Sequence, residues 1–446
     1  MTDSIAVNGE NNSVSKPLNW NVLFRGDHAM GSYNACVGNN GSPDIYYYAD
    51  GFADSVKLLI DALIDGKSAL LDTLIYPICF SLRHSVELTL KGQIQELSQL
   101  AKLRSRPIAP DTEIEKELNQ HDIMNLWVFF TRHADAFDQR YKEYISALDP
   151  LIRCIAETDP TGQTFRYSYS TEAKKHLTDV SVINVVVLRD QFRIIRDNLE
   201  KLCGLSQWLW REYSTGSFTG NLSRKDLQDI AEMLPPREAW SDSSAGLDSI
   251  KSTIKSKYNI GSKELRDALN KIQNSRDLAR IIGIHVEVPG LSNSDLDTLN
   301  DCWKLAWNRD ALANELRKDI SGVTDSPLVP INLMQDLHRE VDMLKDTRSS
   351  LEQFILWATE ERLAGLQALL DASLFRFSEE YDNQYEQYKK ETTVAFSSSS
   401  RLREAEITEI WSQSIRRRNY PSRIISKLKR SGFDNESANL ENNLFL

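Results

Sequence analysis

The sequence predicts an all-α protein of several domains. Glycine (19) and proline (13) are few for 446 residues, and they cluster. Where they thin out, apolar residues recur at helical spacing instead of alternating. The one strongly β-branched run, SVINVVVL (181–188), is flanked by helical patterns on both sides. At roughly 100–200 residues per domain, the length fits two to three domains. A hydrophobic fraction of 41% with 26% charged residues excludes a mostly disordered or collagen-like chain.

The elements follow in order. Residues 1–44, rich in Asn, Gly and Ser, read as a loosely ordered N-terminal arm. Phe52, Val56, Leu59, Ile60 and Leu63 then fall on one helical face, closed by Asp65-Gly66. A second helix is predicted over 69–100, with Pro77 well inside it and therefore a kink or restart there. Residues 103–120 read as a polar connection. A third helix is expected from Asp122 through Trp127 and Phe137 toward Leu148, and a fourth over 172–212, with a loop or short hairpin at 159–170 between them. A small helical module at 221–290 opens with Ser223 and Asp226 as a capping pair, and Pro235-Pro236 stops its first helix. Acidic and basic residues nearly balance there, which argues against a DNA-reading helix-turn-helix. Residues 291–390 read as a long-helix bundle, with Met334, Leu337, Val341 and Leu344 on one packing face and Trp303, Trp307 and Trp357 as core anchors. Residues 391–446 read as a basic, partly disordered tail.

Composition narrows the function classes. A formal charge of −11 gives no overall basic field, so any nucleic-acid contact must come from a local patch. The densest such patch is Arg416, Arg417, Arg418, Arg423, Lys427, Lys429 and Arg430, a candidate phosphate-backbone or partner site. Cys36, Cys79, Cys154, Cys203 and Cys302 lie far apart without a CxxC pair, which argues against a disulfide framework or zinc ribbon. The first residues lack a basic region followed by an apolar one, and no stretch reaches the ~18 apolar residues of a membrane span. A cytoplasmic protein is expected. Motifs for nucleotide hydrolysis, zinc proteolysis and esterase chemistry are absent, and no cofactor is expected.

The most unusual helix face belongs to the second helix, where Arg83, Glu87 and Lys91 form an i, i+4, i+8 polar row hemmed in by Phe80, Leu82, Val86, Leu88 and Leu90. The narrowness of that row predicts a buried or cleft-lining network, with a solvated stripe as the plain alternative. His84, His121-Asp122 and Arg166 are candidates to join it; a helix cap and a loop-anchoring arginine are the plain alternatives for Asp122 and Arg166.

In order, YPICFSLRHSVELTLKGQI, HDIMNLW and DPTGQTFRYS resemble prokaryotic HEPN-like domains over about residues 45–212. The resemblance implies a helical bundle that usually forms a homodimer, and in many members a metal-independent ribonuclease of a toxin–antitoxin, CRISPR or anti-phage system. Active members carry an arginine, then four to six residues, then a histidine. A guanidinium there can hold the scissile phosphate, and an imidazole can exchange the proton of the attacking 2′-hydroxyl. Here Arg83-His84 and Arg132-His133 are adjacent, and the one formal match, Arg280 to His285, lies outside the resembling region with apolar residues between. Two expectations follow: a helical sensor or scaffold of a bacterial defence locus that binds a partner protein, or an RNA-cleaving enzyme using Arg83, His84, Glu87 and His121, with Arg166 and the basic patch holding RNA. Trp127, Phe129, Phe130 and Phe137, on more than one face of the third helix, are expected to need a second copy of the chain to bury them all.

Overall fold

A computed structural model describes residues 23–38, 40–41, 43–169, 177, 180–241, 246–307, 344–372 and 375–444. Among them are seventeen α-helices, two short 3-10 turns and no strand, so the chain is all-α. It divides into two compact units, residues 1–97 with 109–203, and residues 98–108 with 204–446.

The first unit is built from α1 (Ile45–Ile64), the first part of α2 (Leu71–Leu103), α3 (Asp111–Asn119), α4 (Ile123–Phe137), α5 (Tyr141–Thr158) and the start of α6 (Val185–Ser214). The described part of the N-terminal arm, before α1, is exposed apart from the half-buried Pro43, and holds one 3-10 turn at Gly31–Tyr33. Asp44 caps α1, accepting from the Tyr47 amide at 2.9 Å, and Ala49, Ala53, Val56 and Ile60 form its buried stripe. Between Ile78 and Ile94, α2 is buried or half-buried at every position. A helix covered on all sides is the central one of its bundle, which is why its polar residues must find partners inside the protein. The helix runs unbroken through Pro77, so the expected restart does not occur. Pro77 and Thr73 are both exposed, so the carbonyl that loses its amide partner is open to hydration.

The third expected helix is two helices. Asp138 ends α4 by accepting from the Arg140 amide at 3.0 Å and from its guanidinium at 2.9 and 2.7 Å, a side-chain turn that competes with helix continuation. The chain then returns as α5 against α4, and the Trp127 indole donates to Asp149 at 2.8 Å. This hairpin corrects the aromatic argument for self-association: Trp127, Phe129, Phe130 and Phe137 are all at most 6% exposed within one chain. Residues 103–120, expected as a connection, contain α3, whose start carries Asp111 and Glu113. The fourth helix begins at Val185, where the Asn184 side chain accepts from the amides of Val186 and Val187; most of the expected first turns lie outside the described residues.

The second unit holds two cores. Around the first, α7 (Arg224–Met233), α8 (Leu247–Tyr258), α9 (Ser262–Asn274) and α10 (Arg276–Ile281) bury Leu227, Ile230, Ala268, Ile272 and Leu278. Ser223 and Asp226 form the capping box that the sequence predicts. The second core is made by α11 (Asn293–Ala306), α12 (Thr347–Trp357), α13 (Glu360–Asp371), α14 (Ser378–Phe396), α15 (Ser400–Gln413), α16 (Tyr420–Arg430) and α17 (Asp434–Leu444). Trp303, Trp307 and Trp357 are anchors in it. Of the expected packing face, Met334, Leu337 and Val341 lie outside the described residues, and Leu344 packs against this core. Residues 391–444 are not the partly disordered tail that their charge suggests. Ile407, Ile410, Trp411, Ile424, Leu428, Phe433 and Leu440 are buried in the same core, and that apolar spacing outweighs the charges between them.

Two arginines tie the first core to α14. Arg224 donates to Glu379 and Asp277, each at 2.8 Å, and Arg276 donates to Asp382 at 2.7 Å and the Ser378 carbonyl at 2.9 Å. Both arginines are nearly buried, so the contacts satisfy charges that water cannot reach.

Gly92 on α2 faces the Tyr46 ring so closely that an added Cβ would stand 2.6 Å from it. Glycine-to-alanine in a helix interior ordinarily stabilises by about 1 kcal/mol. Here the clash reverses the sign: Gly92→Ala is expected to lower the melting temperature by several degrees in a thermal scan, and Gly92→Ala with Tyr46→Ala to recover part of the loss.

Candidate functional site

The polar row of α2 is the centre of a buried network in the first unit. Glu87, 2% exposed, accepts from the Arg83 guanidinium, from Lys91 at 3.0 Å and from Nδ1 of His121 at 2.8 Å. Nδ1 of His84 lies 3.6 Å from the same carboxylate. Burial alone would raise the Glu87 carboxyl. The nearby His84 imidazole, the His121 and Lys91 donors and the Arg83 charge together outweigh it and hold the group well below the usual carboxylate range.

Arg83 reaches further than its own helix. Its Nε donates to the Asp159 carbonyl at 3.0 Å, and one terminal nitrogen donates to the carbonyls of Pro160, at 2.8 Å, and His121. The Pro160 carbonyl also accepts the amide of Ile123, the first residue of α4, at 3.0 Å. One guanidinium therefore joins α2, the start of α4 and the turn that ends α5. The turn is shaped for this. The Asp159 side chain accepts the Thr164 amide at 3.1 Å, and Gly162 adopts φ +78° close beside Arg83. A Cβ at Gly162 would lie 3.3 Å from the Arg83 guanidinium, in a backbone region that side chains disfavour.

The structure thus brings Arg83, Glu87, Lys91 and His121 into one network, with His84 at its margin. His84 spends its ring on packing, stacked on Phe80 at 5.5 Å and edge-on to Phe52 at 4.6 Å. Asp122 is the N-cap of α4, accepting from Asn125 at 2.9 Å. Arg166 stays outside the network. Its guanidinium lies over Phe80 at 5.4 Å and Tyr167 at 5.3 Å, beside a cleft of about 770 Å³ that Ile75, Tyr76 and Phe165 help to line. The partners that the sequence reading missed are main-chain: the carbonyls of Asp159 and Pro160, with Gly162 making space for the arginine. The Asp-Pro-Thr-Gly string was the signal, since it specifies a tight turn.

The basic patch is dispersed by folding. Arg416, Arg417 and Arg418 lie in the turn before α16, the first two exposed and the third half-buried. Arg423, Lys427 and Arg430 recur at i, i+4, i+7 along α16, while Lys429 pairs with Glu441 of α17 at 2.6 Å. Arg280 and His285 are two ends of a contact to α17, with Arg280 paired to Asp434 and His285 3.3 Å from Glu436. Among the described residues no group of His, Cys, Asp and Glu is placed to hold a metal ion, and no helix is long and apolar enough to cross a membrane.

Removing one member of the network leaves buried groups without partners. Arg83→Met takes from Glu87 its arginine partner and from the carbonyls of Asp159, His121 and Pro160 one donor each, and is expected to cost about 3–5 kcal/mol in denaturant unfolding. Arg83→Met with Glu87→Leu is expected to cost less than the sum of the two single changes, because the residues act as a unit. The depressed Glu87 carboxyl sets a pH dependence. Its contribution is complete above the ordinary carboxylate value, near pH 4–5, and is lost as pH falls through the lower folded value. The difference in melting temperature between the wild type and Glu87→Gln should therefore shrink as pH is lowered from 5.

The chain matches no protein-family model, no curated protein and no solved structure.

Proposed function

We propose that this is a cytoplasmic HEPN-like protein of an anti-phage or stress defence locus, acting as a helical sensor or scaffold that binds a partner protein. The family part of this reading rests on the resemblance of residues 45–212, and the meeting of its three sequence pieces at one arginine supports treating them as a single structural unit. The observation that carries the non-catalytic part is the state of Arg83. Four of the five donors of a guanidinium are used, on Glu87 and three main-chain carbonyls, and the residue is 2% exposed. A phosphate could be held only by giving up those bonds.

One observation favours the second reading, metal-independent RNA cleavage. The His121 side chain is 67% exposed while Glu87 fixes its Nδ1, so Nε2 faces outward in the manner of a carboxylate-oriented general base. Both readings meet in one assay: purified protein incubated with total RNA in EDTA. The scaffold reading expects intact RNA. Cleavage by the wild type that disappears in a folded His121→Asn variant would establish the enzyme instead.

A homodimer belongs to this proposal, through surfaces other than the α4 aromatics. Leu58 and Ile64 of α1 and Val186, Val187 and Ile194 of α6 are exposed, on helices joined by an Arg196–Asp54 pair at 2.7 Å. Light scattering at micromolar concentration should give twice the chain mass, and Val187→Glu should reduce it to one; a wild-type monomer removes the dimer.

A further inference from the structure

We propose that the turn at the end of α5 is a self-cleavage site, at which the Asp159 side chain breaks its own residue's peptide bond to Pro160 and leaves the pieces 1–159 and 160–446. The inference rests on neither the scaffold nor the ribonuclease reading.

Asp159 is 1% exposed. Its Oδ1 accepts the Thr164 amide at 3.1 Å, which orients the carboxyl group, while Oδ2 is buried without a hydrogen-bond partner among the described residues. A buried carboxyl oxygen left without a donor is rare and asks for a physical reason. The main-chain oxygen of the same residue is differently placed: it accepts from Nε of Arg83 at 3.0 Å. Beyond the bond, the Pro160 carbonyl is held by Arg83 at 2.8 Å and by the Ile123 amide at 3.0 Å. Nucleophile, oxyanion donor and leaving side are therefore fixed before any reaction. Pro160 itself is exposed, so water has access to the bond once it opens.

A carboxyl group can act as a nucleophile on an acyl carbon, and here the carbon belongs to the same residue. In the acid form of Asp159, Oδ2 attacks that carbonyl carbon, and the carbonyl oxygen gathers negative charge against the Arg83 guanidinium. The carbon–nitrogen bond then breaks, and the acid proton passes to the Pro160 nitrogen, which leaves as a secondary amine. Proline suits this role because its nitrogen has no N–H to be tied up in a hydrogen bond. Residue 159 is left as a cyclic anhydride, which water opens to two carboxyl groups. The sum is hydrolysis of one peptide bond by one water.

A second Asp–Pro bond, Asp149–Pro150, lies inside α5 and is built differently. One oxygen of Asp149 accepts the Trp127 indole at 2.8 Å and the other accepts Nε of Arg153 at 2.7 Å. The Arg153 and Trp127 donors lower the Asp149 carboxyl below its ordinary value, so the proton that the leaving nitrogen needs is scarcer there.

That second bond is an internal control. The full-length wild type is incubated in mildly acidic buffer that leaves its helical circular dichroism unchanged, and new N-termini at Pro160 and Pro150 are counted by peptide mass spectrometry. Cleavage before Pro160 is expected to be at least about tenfold faster than before Pro150. Unfolding in urea should erase the difference, because the contacts around Asp159 are then gone. Asp159→Asn keeps an acceptor for the Thr164 amide but cannot form the anhydride, and should leave residues 159 and 160 joined. Hydroxylamine added to the wild type should trap residue 159 as a hydroxamate, a product that direct hydrolysis does not give. Equal rates at the two bonds in the folded wild type, or cleavage at neither, overturn the proposal. So do cleavage of Asp159→Asn at the wild-type rate and cleavage that yields no hydroxamate.

Discussion

The first unit depends on how one buried guanidinium is satisfied. Water cannot reach Arg83, so each of its N–H groups needs an acceptor supplied by the protein. The acceptors come from places far apart in the chain: Glu87 on the same helix, His121 before α4, and Asp159 and Pro160 after α5. None of them can be moved without stranding the charge. The clamp therefore fixes where α4 begins and where α5 ends relative to α2, and the Ile123 amide on the Pro160 carbonyl closes the arrangement. Such an ion pair need not add net stability over a well-packed apolar replacement; what it supplies here is a unique set of acceptor positions. Glu87 is held by the same logic from the other side, because an isolated carboxylate at that depth would take up a proton.

The second unit uses the same physics to dock its first core on α14. Arg224 and Arg276 are buried at that contact, and their partners Glu379 and Asp382 sit on one helix. Burial would raise the Glu379 carboxyl, but Arg224, Ser217 and Ser275 bring it below the ordinary range. Asp382 goes the other way: burial raises it, with Glu379 and Asp277 adding to the rise, and Arg276 does not fully compensate. Two acids three residues apart thus differ in sign of shift because one has several donors and the other a single cation.

Helix content and the polar row were legible because both are local. Spacing alone places Arg83 and Glu87 together, and Ser223 with Asp226 announces a helix start without help from the rest of the fold. What was illegible was set by contacts between distant residues. Pro77 is tolerated because its turn faces solvent, and exposure is not written in the local sequence. The break at Asp138 depends on a side-chain turn that competes closely with helix, and once the chain reverses, α5 covers aromatics that looked too many for one core. The C-terminal charges concealed Ile407, Ile410, Trp411, Ile424 and Leu428, whose helical spacing is plain only when the basic residues between them are set aside.

The same distinction governs how an arginine beside a histidine is read for chemistry. Residue types suited to phosphate transfer are also those best able to saturate buried carbonyls and carboxylates, so the sequence string alone leaves both uses open. The difference lies in unused donors. Arg83 has spent nearly all of its own on the fold, and a substrate would have to compete with acceptors already in place and already desolvated.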